Sequence, residues 1–207
     1  MGLPKQVHII GGLIAALCWI AWLMPMSRAS MYDWGISWLA LSEGRYETLL
    51  LNMFAHGGLL HISMNTLVLL GFAGPIVWTM GKWNFFGGSA RFVVFYLLSG
   101  LAGAAFYVGF NWGGLIPAVG ASGAISGMIG FVSRMQPGGQ LLPLFSRELL
   151  RRIWGFVKAN LILIALFAVP FLLGGTGMLI AWEAHLGGFV FGLLSAGLFL
   201  PAKPKRA

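Results

Sequence analysis

A histidine and an asparagine four positions apart, His61 and Asn65, interrupt an apolar stretch, and so, farther on, do the segment Gly120-Ala121-Ser122-Gly123 and His185. A serine hydroxyl is a weak nucleophile until a neighbouring base takes its proton, and histidine is the side chain most often used for this. On a helix His61 and Asn65 lie about 40° apart around the axis, so they aim two hydrogen-bond donors at one point. An interhelical polar clamp would use the same pair equally well. His56, five residues before His61, turns about 140° away on a helix, which assigns it to tying down the preceding loop.

The elements that must position these residues belong to a membrane protein. Of 207 residues, 58% are hydrophobic and 9% charged, against about 25% charged in a water-soluble fold. Thirty-one glycines and nine tryptophans suit helices that approach closely and indoles that sit at membrane interfaces. The single Cys18 excludes a disulfide scaffold. Thirteen basic residues against five acidic ones give a net charge of +8. Loop topology and anionic lipid account for that charge, with no nucleic acid as partner.

Apolar runs at residues 7–26, 58–80, 92–110, 121–135, 158–173 and 179–200 predict six transmembrane helices in one all-α bundle, with residues 1–207 as a single domain. Alternating the connections places Lys5, Lys82, Arg91, Arg134, the group from Arg147 to Lys158 and the C-terminal Lys203, Lys205 and Arg206 on one side. Only Arg28 and Arg45 fall on the other, which predicts that both termini are cytoplasmic. The first run also resembles a signal peptide, with small residues at Ser27-Arg28-Ala29, but it is long for an h-region and is expected to be retained. Trp34 and Trp38 fit either a long loop partly embedded at the interface or ordinary burial within that loop. Gly174-Gly175-Thr176-Gly177 is short and permissive enough to gate a site beside it.

Depth brings the polar positions together. Ser122 opens a helix whose charged end, Arg134, follows only twelve residues later, about 18 Å at helical rise. Such a helix begins inside the membrane, where non-helical backbone is tolerated only beside protein or water. Its N-terminus offers free N–H groups and a positive dipole end, both suited to a developing oxyanion. His185 lies fifteen residues before Leu200 and Asn65 fifteen before Met80, so both sit about 22 Å from the basic side. Small-residue stripes, Gly123-Gly127-Gly130 and Gly188-Gly192, allow the two helices that carry Ser122 and His185 to pack closely.

Taken in order, His56, His61 and Asn65 resemble the H-x4-H-x3-N pattern of the rhomboid family of intramembrane serine proteases. Gly120-Ala121-Ser122-Gly123 resembles its G-x-S-G segment, and Ala184-His185-Leu186-Gly187-Gly188 with Gly192 resembles its A-H-x-x-G-x3-G segment. The resemblance implies that Ser122 is the nucleophile and His185 the general base, with His61, Asn65 and the Ser122 N–H forming the oxyanion hole. It also implies cleavage of transmembrane protein substrates within the lipid bilayer, favoured by helix instability and a small residue at the cut. Asp33 and Glu43 lie in the outer loop, and Glu183 is about 200° around the helix from His185, so a dyad without a carboxylate is the economical reading. No His, Cys, Asp or Glu cluster has ligand spacing, and neither metal nor cofactor is expected.

The chain departs from the family pattern twice. Arg45-Tyr46 stands eleven residues before His56, where the family often places Trp-Arg about eight before, and Ser126 stands where many relatives carry an aromatic packed on the catalytic histidine. An inactive membrane-protein binder would normally have lost the serine or the histidine, and this chain keeps both. A small transporter would account for wet midplane polar groups, but not for a serine at a glycine elbow. The expected location is the bacterial inner (plasma) membrane.

Overall fold

The structure, a computed structural model, describes residues 3–24, 31–82, 84–136, 139–173 and 179–201. A 3-10 turn, Lys5–His8, leads into α1 (Ile9–Leu23). In the loop after it, the described residues form three short helices: α2 (Met31–Trp34), α3 (Trp38–Ser42) and α4 (Thr48–Leu51). The bundle continues through α5 (Leu59–Gly81), α6 (Phe85–Phe110), α7 (Ser122–Arg134), α8 (Arg147–Leu172) and α9 (Trp182–Ser195), which ends in a 3-10 turn, Ala196–Phe199. The architecture is a helical membrane bundle, with only isolated bridges, Ile36 to Ala118 and Met135 to Leu141, among the described residues. Among the described residues three segments, Lys5–Leu23, Leu59–Gly81 and Phe85–Phe110, are long and apolar enough to cross a membrane by themselves.

Two helices start earlier than their apolar runs. α6 begins at Phe85 rather than Phe92 because the Asn84 side chain accepts a hydrogen bond from Gly87 N at 2.9 Å and caps it. α8 begins at Arg147 rather than 158: Ser146 Oγ accepts from Leu149 N, and Glu148 pairs with Arg151 and Arg152 one turn on, at 2.7 and 2.9 Å. Charged side chains at (i, i+3) and (i, i+4) support a helix while hiding it from any search for apolar runs. The suggested gate at 174–177 and the possible cleavage site at 27–29 lie outside the described residues.

α7 is the central helix, short and nearly all buried. It packs against α5 and α6 and above all against α9. Side chains Ile62, Leu69, Phe92, Phe95, Met128 and Phe131 fill the space between these helices. The α7–α9 seam is built from glycine. A Cβ on Gly188 would collide with the Gly123 carbonyl, one on Gly192 with the Gly127 carbonyl, and one on Gly130 with the Phe189 carbonyl. Small residues on both faces let two backbones touch and exchange dispersion contacts along their length.

At the basic end α7 is held by arginines. Arg134 donates from Nε to Leu142 O and from its guanidinium to Leu193 O at 3.1 Å, and Arg152 donates to Ser133 O at 3.2 Å and Met135 O at 2.7 Å. Ser133 O and Leu193 O, in the last turns of α7 and α9, are carbonyls that a helix C-terminus leaves unpaired, and the arginine cations meet them there.

Candidate active site

The site is built around the left-handed turn that starts α7. Gly120 has φ +123, a conformation that disfavours any residue with a Cβ. A Cβ there would also stand 2.7 Å from both Cε1 and Nε2 of His61 and 3.7 Å from Nδ2 of Asn65. Gly120 N–H is tied back to Asn52 O at 2.8 Å, and the Asn52 side chain holds Thr48 O and Leu49 O. The outer loop therefore fixes the entry into α7. Ala121 is its N-cap without a side-chain bond, and Ser122 is its first residue, half-buried, so the N–H groups of that first turn have no intrahelical acceptor.

His61 and Asn65 stand one helical turn apart on α5 and meet Gly120 together. Gly57 N–H donates to His61 Nδ1 at 3.5 Å, so Nδ1 is the lone-pair nitrogen and Nε2 carries the proton toward Gly120. Asn65 is 8% exposed, and its Nδ2 has no hydrogen-bond partner among the described residues. A buried donor without an acceptor costs about 1–3 kcal/mol. Two donors thus converge beside the turn that delivers Ser122, one of them unpaired.

His56 ties down its loop by donating from Nδ1 to Phe54 O at 3.2 Å, and its ring also meets His61 edge to face, with centroids 5.1 Å apart. Burial, and secondarily the neighbouring His61, lower its pKa to about 4. It is a neutral support behind His61.

His185 enters from α9, buried at 8% exposure. Ala184 just before it packs on Gly103 and Gly123, and Ser122, Gly123, Ala181 and Ala184 line one small cavity with Met53 and Gly100. The starts of α7 and α9 therefore face the same space. No hydrogen bond joins Ser122 to His185 among the described contacts; His185 Nδ1 is bonded instead to Asn160 Oδ1 of α8 at 2.7 Å. Asn160 was not anticipated from the sequence, although an amide inside an apolar run is the same signal that singles out Asn65. Glu183 turns the other way and accepts from Asn111 Nδ2 at 3.3 Å.

A Rhomboid domain description matches residues 43–202. The chain belongs to the rhomboid family. Its match to the human presenilin-associated rhomboid-like protein, mitochondrial, is 31% identical over 197 residues, covering 89% of this chain and 46% of that protein. The mouse protein of the same name is 30% identical with the same coverage of both chains. Rhomboid protease GluP of Bacillus subtilis (strain 168) is 29% identical over 157 residues, 75% of this chain and 26% of that protein. The chain thus spans about half the length or less of these curated relatives.

The expected bacterial inner-membrane location is corrected by these matches, because the relatives aligned over 89% of this rhomboid chain are mitochondrial by name. Lys and Arg asymmetry reports the sidedness of a bundle and carries no information about which membrane holds it. The departure at Arg45 also has a structural answer in this rhomboid. Arg45 donates to Tyr32 O at 2.7 Å and pairs with Glu43 at 3.0 Å, so it stitches the outer loop to itself.

Proposed function

We propose that the chain is an intramembrane serine endopeptidase, a single domain over residues 1–207, that cleaves transmembrane-helix substrates with a Ser122–His185 dyad. Ser122 Oγ attacks the scissile carbonyl carbon while His185 Nε2 takes the hydroxyl proton. The carbonyl oxygen becomes an oxyanion that accepts from His61 Nε2–H, Asn65 Nδ2–H and the Ser122 N–H. As the tetrahedral intermediate collapses, the C–N bond breaks and His185 returns the proton to the leaving amine. Water, activated by the same imidazole, then releases the acyl group.

The observation that carries this reading is the convergence of His61 Nε2 and Asn65 Nδ2 on Gly120, two residues before Ser122, with the amide donor unpaired. Donors of this kind suit an acceptor that exists only during reaction. The Ser122–His185 bond belongs to the substrate-bound state, since catalytic hydrogen bonds commonly tighten on binding. Family membership and a relative named as a protease support the same chemistry. The small cavity beside Ser122, walled by Gly100, Ala104, Gly123, Ala181 and Ala184, suits a small side chain at the cut.

The test is incubation of purified protein, reconstituted in vesicles, with a transmembrane reporter. Wild type is expected to cleave it and Ser122→Ala to leave it intact while folding normally. A wild-type protein that binds the reporter without cutting it would replace this reading with that of an inactive binder.

A further inference from the structure

We infer that Asn160 is a positioning residue that fixes the tautomer and the direction of the His185 ring; this rests on the dyad reading above. The Asn160 amide makes two bonds. Its Nδ2 donates to Phe156 O at 3.1 Å, one turn back on the same helix, and its Oδ1 meets His185 Nδ1 at 2.7 Å. The first bond settles which way the amide faces, because only the NH2 end can donate to a carbonyl. An amide oxygen can only accept, so Nδ1 of His185 carries the proton. In the neutral ring Nε2 is then the lone-pair nitrogen, the state a general base must be in to receive the Ser122 proton. When it has done so, both ring nitrogens are donors, and Asn160 Oδ1 still accepts from Nδ1.

The next layer of the same interface holds the amide in place. Phe156 of α8 and Phe189 of α9 stack with centroids 3.9 Å apart and 12° between planes. Phe156 is four residues before Asn160, and Phe189 four after His185. Residues four apart share a helix face, so the stack and the hydrogen bond are consecutive rungs between α8 and α9. Ser126, buried on α7, supplies no ring to pack on His185. Orientation of the base comes from α8 instead.

The experiment compares Asn160→Leu, which keeps volume and removes the acceptor, with Asn160→Asp, which keeps an oxygen at the Oδ1 position. Ser122→Ala and His185→Ala are run beside them in the same vesicles. The readouts are the rate of labelling by a serine-directed fluorophosphonate, kcat and KM on the reporter, and thermal unfolding. Asn160→Leu is expected to slow labelling and kcat roughly two- to tenfold, the worth of one net hydrogen bond, with KM unchanged and only a modest fall in unfolding temperature from the unpaired His185 Nδ1–H. Asn160→Asp is expected to restore most of the rate. If Asn160→Leu does not fold, Asn160→Ala takes its place. Labelling of the acceptor-free variant at the wild-type rate, or an Asn160→Asp variant as slow as it, overturns the inference. Should Ser122→Ala or His185→Ala still cleave, the dyad reading itself falls; inactive Ser122→Ala and His185→Ala with a full-rate Asn160→Leu would remove only the role of Asn160.

Discussion

Gly188 and the carbonyl of Gly123 are in backbone-to-backbone contact, so that a Cβ on Gly188 would collide with that oxygen. Gly123 adjoins Ser122 and Gly188 is three residues past His185, which makes this contact the joint between the two helices of the proposed dyad. Gly188→Ala must therefore push α7 and α9 apart, an overpacking cost of about 1–3 kcal/mol. A lowered unfolding temperature in detergent and loss of reporter cleavage are expected. Gly12→Ala, where a Cβ on α1 would meet nothing within 4 Å, should leave both unchanged. Equal behaviour of the two variants would show that the glycine seam does not hold α7 and α9 together.

Arg152 gathers Ser133 O, Met135 O and Glu148 at the end of α7. Arg152→Met strands these acceptors and should destabilise the protein by about 1–3 kcal/mol. The Arg151 side chain is 76% exposed and, among the described residues, pairs with Glu148 alone, so Arg151→Met should stay within about 0.5 kcal/mol of wild type. Thermal unfolding of the two variants side by side decides whether α7 is anchored from α8.

Oxyanion donors and a base fail by different amounts. Asn65→Ala leaves His61 Nε2 and the Ser122 N–H in place, and its kcat should fall about 10²- to 10³-fold with turnover still measurable. His185→Ala should show none above background. A single-turnover assay separates them, and an Asn65→Ala variant as dead as His185→Ala would mean that Asn65 holds the fold together rather than the oxyanion.

The helical membrane bundle was legible because water and lipid sort side chains strongly. Ser122, His61, Asn65 and His185 stand out as polar groups in apolar runs, and helical rise places them at one depth. The glycine stripes on α7 and α9 were readable for the same reason: only close backbone approach gives a use to Gly123, Gly188 and Gly192 together. The start of α8 was not legible, since its first turns are charged and stabilised by Glu148 pairing. Nor was the Asn160–His185 bond, which joins residues 25 apart in sequence and depends on the rotation of α8 against α9. Spacing along one helix carries no such information. Arg45 likewise finds its partner, Tyr32 O, only through the folding of the outer loop.

Whether Ser122 is the residue activated for attack is decided by locating the adduct of a serine-directed fluorophosphonate by peptide mass spectrometry. A single modified serine, Ser122, is expected in the wild type and in Ser126→Ala, and no adduct in His185→Ala. An adduct on Ser126 or another serine, or labelling of Ser122 at full rate without His185, would contradict it.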